Sequence, residues 1–199
     1  MQGQGMTLPA REIELKFLLG RADVDAVLDA LPPGATAVKA MTAIYYDTAD
    51  RWLGRRGFSL RVRRTDRKYV QTLKSALGDD GGRDEWEWDV PGEAPAPGLL
   101  IATPAALPLG ATLLARFTVK VSRTVRVVQA GEARVEVALD DGEVIAGGRR
   151  EPILELELEL LSGPASALHD LAASLRETVS LTPSAVTKAE RGFQLLAQT

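Results

Sequence analysis

The 199-residue chain has no cysteine and a single histidine, His169. The first absence excludes a disulfide framework, a thiol nucleophile and a Cys-type zinc site. The second leaves no His cluster for a transition metal and no Ser-His pair. Aromatic residues are scarce, at 3 Trp, 3 Tyr and 4 Phe, too few to suggest a stacking platform for bases. Neither sign of charge dominates: 24 Lys+Arg stand against 27 Asp+Glu, a net charge of −3. That balance argues against a basic outer surface and a nucleic-acid partner. No apolar run approaches the roughly 20 residues that span a bilayer, and Met1–Ala10 lacks the features of a signal peptide. The expectation is a cytoplasmic protein with no membrane partner, a single domain over residues 1–199 with a loose segment at 1–10. Catalysis would have to use carboxylates, Lys, Arg, Tyr or a hard metal ion.

Residues 11–19 alternate polar and apolar strictly, the period of a half-buried strand. Further strands are expected at 37–47, 58–65, 68–75, 84–90, 117–129, 132–140 and 150–161. Asp66-Arg67 and the Gly-rich 78–82 mark hairpins, and Asp140-Asp141-Gly142 and Gly147-Gly148 read as breaks between the last strands. Helical spacing covers 21–31, 164–179 and 185–197, with a short helix or turn near 50–56 and a Pro/Ala/Gly-rich loop at 91–110. About eight strands with short connections predict an α+β, mostly antiparallel β chain. Its sheet closes into an eight-stranded barrel with flanking helices and a C-terminal helix.

The polar faces of these strands are unusual in being charged at nearly every position. Glu12, Glu14 and Lys16 share one face; so do Arg61 and Arg63, then Arg83, Glu85 and Glu87, then Glu136 and Asp140, then Glu155, Glu157 and Glu159. A solvated sheet face accounts for any one of them. Three Glu in five residues repel one another, however, and a cation among them relieves that. Arg61 and Arg63 form a fork suited to phosphate oxygens. If all these faces point into one lumen, it holds a polyanion through Arg/Lys and a divalent metal through Glu. Trp86 and Trp88 fall on the opposite, core-packing face. His169 reads as a surface or satisfied side chain, and Asp47 as a turn former.

The residues that carry these faces resemble a known family. Glu12-Ile13-Glu14-Leu15-Lys16 looks like the Glu-x-Glu-x-Lys signature of the CYTH domain, the triphosphate tunnel metalloenzymes. In order along the chain, the resemblance continues through Tyr45-Tyr46-Asp47-Thr48, Phe58–Arg63, Gln71-Thr72-Leu73-Lys74, and Arg83 with Glu85 and Glu87. It then takes in Arg123 after Phe117, Val135–Asp140 with Gly142, Glu155–Leu160 with Gly163, and Thr187–Phe193. It covers residues 11 to 196, with Thr187 where Ser is common and Phe193 where Tyr is common. The helical domain that follows in longer bacterial members has no counterpart in this sequence.

The resemblance implies an eight-stranded charged tunnel and a triphosphate-bearing small-molecule substrate with Mg²⁺ or Mn²⁺ as cofactor. It implies that Arg61, Arg63, Lys74, Arg83, Arg123, Lys188 and Arg191 bind the phosphates. Glu12, Glu14 and Lys16 would be catalytic, and Glu12, Glu14, Glu155, Glu157 and Glu159 would hold metal. Glu85, Glu87, Glu136 and Asp140 would support the basic side chains. The leading expectation is an inorganic triphosphatase, because few aromatics are present to clamp a nucleobase. An adenylate cyclase of class IV, a thiamine or nucleoside triphosphatase and a non-catalytic polyphosphate-binding module are the alternatives. A homodimer is left open.

Overall fold

The computed structural model describes residues 8–198 except residue 80, so the expected loose start falls almost wholly outside the described residues. Strand β1 (Ala10–Leu19) opens the described fold. Next comes a 3₁₀ turn at Arg21–Asp23, leading into α1 (Val24–Ala30). The long β2 (Thr36–Asp47) then leads into the one-turn α2 (Trp52–Arg55). Strands β3 (Ser59–Thr65), β4 (Lys68–Lys74) and β5 (Gly82–Val90) form a meander. A loop with one 3₁₀ turn at Pro97–Leu100 precedes β6 (Leu114–Ala130), β7 (Ala133–Ala146) and β8 (Arg149–Ser162). The chain ends with α3 (Ser166–Thr178), a three-residue β9 (Leu181–Pro183) and α4 (Lys188–Ala197).

The sheet order is β5-β4-β3-β2-β6-β7-β8-β1-β9, and β5 also pairs with β1. That last pairing closes eight antiparallel strands into a barrel and leaves β9 outside, against Phe17–Leu19. Closure removes the strand edges that an open sheet would expose. Tight turns set the register. Asp66, at φ 55°, makes the left-handed turn between β3 and β4. Gly147 and Gly148, at φ 56° and 77°, do the same between β7 and β8, where two positive φ angles match the strand twist.

One expected boundary is corrected. Asp140-Asp141-Gly142 does not end a strand: β7 runs through it to Ala146, paired with Ser122 and Val121 on one side and Leu154 and Ile153 on the other. Gly142 is there for space, since a Cβ at this position would lie 2.0 Å from the Lys120 carbonyl oxygen. The last helix also starts later than its apolar spacing suggests, because a capping box fixes it. Thr187 Oγ1 accepts from the Glu190 N–H at 3.1 Å, and Glu190 Oε2 accepts from the Thr187 N–H at 2.7 Å.

Three apolar clusters surround the barrel wall. Val135, Val137, Leu139, Leu156 and Leu158 point outward beneath α1 and α3. Leu60, Val62, Leu73 and Trp86 point outward beneath α2 and the 91–113 loop. Asp47 ties α2 down, its carboxylate accepting from the N–H groups of Thr48, Leu53 and Gly54 at 2.8, 2.9 and 3.0 Å. The third cluster lies inside: Tyr45, Phe117, Val119, Val144 and Ile153 pack against Leu195 and Phe193 of α4. With the apolar faces spent outward, the charged faces are left to line the interior. Among the described residues, no helix is long and apolar enough to cross a membrane.

Candidate active site: a charged lumen with two unlike walls

A cavity of about 210 Å³ occupies the lumen, lined by Glu12, Glu14, Lys16, Tyr45, Ser59, Arg61, Arg63, Lys74, Arg83, Glu85, Glu87, Arg123, Glu136, Glu157, Glu159, Thr187, Lys188 and Ala189. Period two brings these residues together, and the strand register decides which of them face each other. Glu14 on β1 pairs with Glu159 on β8, which pairs with Glu136 on β7, so three carboxylates form one row across adjacent strands. One step along, Lys16 pairs with Glu157. On the other wall, Tyr45 on β2 pairs with Arg61 on β3, and Ala43 with Arg63.

The other carboxylates are mostly neutralised from within. Glu12 accepts from Lys74 Nζ at 2.6 Å and from Arg83 Nε at 2.5 Å, while Arg83 also reaches Glu14 at 2.5 Å. Burial alone would raise the Glu12 pKa, but Lys74 and Arg83 outweigh it and hold the carboxyl below its ordinary value. Arg123 grips Asp140 with two bonds, at 2.7 and 2.6 Å, and Glu157 with a third at 2.6 Å. Lys188 lies 2.8, 2.8 and 2.7 Å from Asp140, Glu155 and Glu157. Its ammonium has three N–H donors, so this set saturates it. Burial pushes Glu157 upward, yet Lys188, Arg123 and Lys16 hold it well below the usual carboxylate range. Lys16 is held more loosely, at 3.5 Å from Glu157 and 3.8 Å from Glu155.

Two groups of side chains escape this compensation. Arg61 makes no ion pair among the described residues, and its buried Nε has no hydrogen-bond partner. Its neighbour Arg63 has one long pair, 3.5 Å to Glu87. Repulsion from Arg61, then burial, lowers the Arg63 pKa to about 10. Opposite in sign are Glu136 and Glu159, which make no ion pair among the described residues. Burial, then Glu12, Glu136 and Glu85, raises Glu159 to about 7. The lumen thus has an under-compensated cationic wall and an under-compensated anionic one.

Most residues expected at the site are here, but some take other positions. Glu155 is fully buried behind the cavity lining, under Lys188 and Lys16. Arg191 is likewise absent from the lining: it pairs with Glu151 at 3.0 Å and lies 3.3 Å from Glu155. Asp140 backs Arg123 and Lys188. Among the described residues no three acidic side chains already converge as a metal site. The row Glu14, Glu159 and Glu136 nevertheless offers only hard oxygen donors, and Glu12, Glu136 and Glu85 crowd Glu159, so the residues present fit a hard divalent cation. Tyr45, Ser59 and Thr187 join the lining, although the sequence assigns none of them a role at the site. Tyr45 had a signal, since alternation along β2 puts it on the face of Met41 and Ala43.

Comparison with known proteins agrees with this architecture. A Haemophilus influenzae inorganic triphosphatase is 32% identical over 159 residues, which is 76% of this chain and 44% of that protein. The chain thus spans less than half the length of that curated relative. Among solved structures, a Hippeastrum protein described as an adenylyl cyclase candidate with dominant triphosphatase activity superposes with a TM-score of 0.66 at 21% identity, over 93% of this chain and 96% of that one. A Bacillus halodurans adenylate cyclase candidate gives 0.63 at 16% identity, over 91% and 97%. A Pyrococcus horikoshii OT3 protein gives 0.62 at 21% identity, over 92% and 99%. At these identities the likeness concerns the fold. The CYTH domain family model matches residues 10–193, which include all eight strands of the barrel, and the chain belongs to the CYTH domain family.

Proposed function

We propose that this chain hydrolyses inorganic triphosphate to pyrophosphate and phosphate with the help of a divalent cation. The observation that carries this reading is the two-walled lumen. A linear polyanion fits against Arg61, which makes no ion pair among the described residues, and Arg63, whose one pair is long, while a cation fits the Glu14, Glu159 and Glu136 row opposite. The inorganic triphosphatase named among the relatives of this chain supports the same reading.

In this mechanism Arg61 and Arg63 take the phosphate oxygens, and bound anion relieves the repulsion between them. Arg123, Lys74 and Arg83 are already committed to carboxylates, so they set the shape and charge of the cavity and turn only in part toward the anion. Lys16, with its longer contacts, is free to swing toward a leaving oxygen and neutralise it. In the metal-free lumen, burial with Glu12, Glu136 and Glu85 raises Glu159 to about 7, so its carboxyl exchanges a proton near neutral pH until a cation takes that place. When bound at the Glu14, Glu159 and Glu136 row, Mg²⁺ or Mn²⁺ would screen the phosphate charge and lower the pKa of bound water. Positioning and charge stabilisation account for most of phosphoryl-transfer catalysis, which suits a site built from fixed charges.

Tyr45 is the one aromatic residue in the lining, so the cavity offers no sandwich for a purine or thiazolium ring. That favours inorganic triphosphate over ATP or thiamine triphosphate. The test is phosphate release from all three with Mg²⁺ or Mn²⁺, run beside an assay for cyclic AMP formed from ATP. Phosphate release fastest from inorganic triphosphate is expected. Cyclic AMP formation with little triphosphate hydrolysis would replace this reading with that of a cyclase.

A further inference from the structure

The cationic wall is connected to the surface by a continuous stack of side chains. Arg51, in the turn before α2, has φ 60°, a conformation that side-chain-bearing residues rarely adopt. Its guanidinium makes no ion pair among the described residues and lies 4.1 Å from the centroid of the Phe193 ring in α4. Phe193 meets Phe117 of β6 edge to face, with centroids 5.2 Å apart at 82°. Phe117 stacks on Tyr45 of β2 at 4.6 Å and 15°. Tyr45 lines the cavity beside Arg61, its partner across β2 and β3. Gly192, next to Phe193, has no room for a side chain: a Cβ there would lie 2.2 Å from Phe117.

We infer that Arg51, Phe193 and Phe117 are positioning residues that set Tyr45, and through it Arg61, at the anion wall. Phe117 and Tyr45 are both nearly fully buried, so neither ring can shift without repacking. Arg61 is the cation that most needs such support, since no carboxylate fixes it and its Nε has no acceptor. Every other cation in the lining holds at least one ion pair among the described residues. For Arg61, the aromatic stack takes the place of a salt bridge. Arg51 closes the outer end of the stack through a cation–π contact, which Lys reproduces in part and Met does not. The likeness drawn from the sequence places Tyr where this chain has Phe193. A ring without a hydroxyl can be covered face-on by Arg51 with no polar edge to satisfy.

Only the kinetic arm of the test rests on the triphosphatase reading; the spectroscopic arm does not. Arg51→Met, Phe193→Leu, the double variant and Arg51→Lys are compared with the parent chain. The first readout is the NMR signal of the Arg61 Nε–H, assigned by its loss in Arg61→Lys, in protein without ligand. It should move in Arg51→Met and Phe193→Leu and return toward the parent position in Arg51→Lys. The second readout is the KM for triphosphate, expected to rise about 3- to 10-fold in each single variant with kcat changed less. The double variant should be no worse than Phe193→Leu alone, because the two residues act in series. An Arg61 signal unmoved in both single variants would overturn the inference, whether or not the protein hydrolyses triphosphate. So would effects on KM that simply multiply. If the parent chain releases no phosphate, the functional reading fails, and the signal still decides whether the stack positions Arg61.

Discussion

Replacing Lys188 by Met should destabilise the protein far more than the loss of one lysine from a surface would. Its ammonium sits within 2.8 Å of Asp140, Glu155 and Glu157, and two of these are fully buried. Removing one member of a buried ion cluster strands the others, at a typical cost of about 3–5 kcal/mol. For a chain of this length that corresponds to a fall in Tm of roughly 6–20 °C. The loss should depend on pH in a definite direction. In the parent chain Asp140 and Glu157 have lowered folded-state pKa values, against burial that would raise them. Depressed carboxylates contribute stability above their unfolded values near pH 4, and lose it as pH falls through the folded values. Without Lys188, burial gains the upper hand and the stabilisation at neutral pH shrinks. Urea unfolding of both proteins at pH 7.5 and pH 4.5 measures this. The gap should be widest at pH 7.5 and narrow at pH 4.5. A gap below about 1 kcal/mol at pH 7.5, the value of an exposed pair, would refute the assignment of Lys188 as the centre of the buried cluster. It would return Lys188 to the role of a phosphate ligand.

Three further outcomes are expected. Arg61→Ala should lower kcat/KM for triphosphate by about 2–4 kcal/mol, or roughly 30- to 1,000-fold, by analogy with a lost oxyanion donor; an unchanged value would place the anion elsewhere. Glu159 has a raised folded-state pKa of about 7, so its share of stability is present at low pH and lost as pH rises toward and through 7. A cation bound beside it must displace its proton, so calorimetry should find Mg²⁺ affinity rising between pH 6 and pH 8, with the slope flattened in Glu159→Gln. Gly192→Ala should cost about 1–3 kcal/mol in thermal or urea unfolding, because its Cβ would meet the Phe117 ring at 2.2 Å.

The barrel was legible in the sequence because period two and short turns leave little freedom. Every strand of the closed barrel was anticipated, and the charged faces were read correctly as one set. The three-residue β9 carries too short a pattern to be seen. The extension of β7 through Asp140–Gly142 was hidden because Asp-Gly normally signals a turn, whereas here the glycine answers a close backbone approach. Within the site, the composition of the lining was legible but its pairing was not. Alternation put Glu155 and Glu157 on one face, yet only the register with β1 and β7 and the position of α4 show Glu155 buried beneath Lys188. The lumen neutralises most of its own charge and leaves one cationic and one anionic patch exposed to a ligand.

On the proposed function, these two patches take a triphosphate and a divalent cation together. A crystal structure of the protein with tripolyphosphate and Mn²⁺, using the anomalous signal to locate the metal, tests it most directly. Phosphate oxygens should lie against Arg61 and Arg63, with a manganese peak among Glu14, Glu136 and Glu159. An anion bound outside the lumen, or manganese bound away from that row, would contradict it.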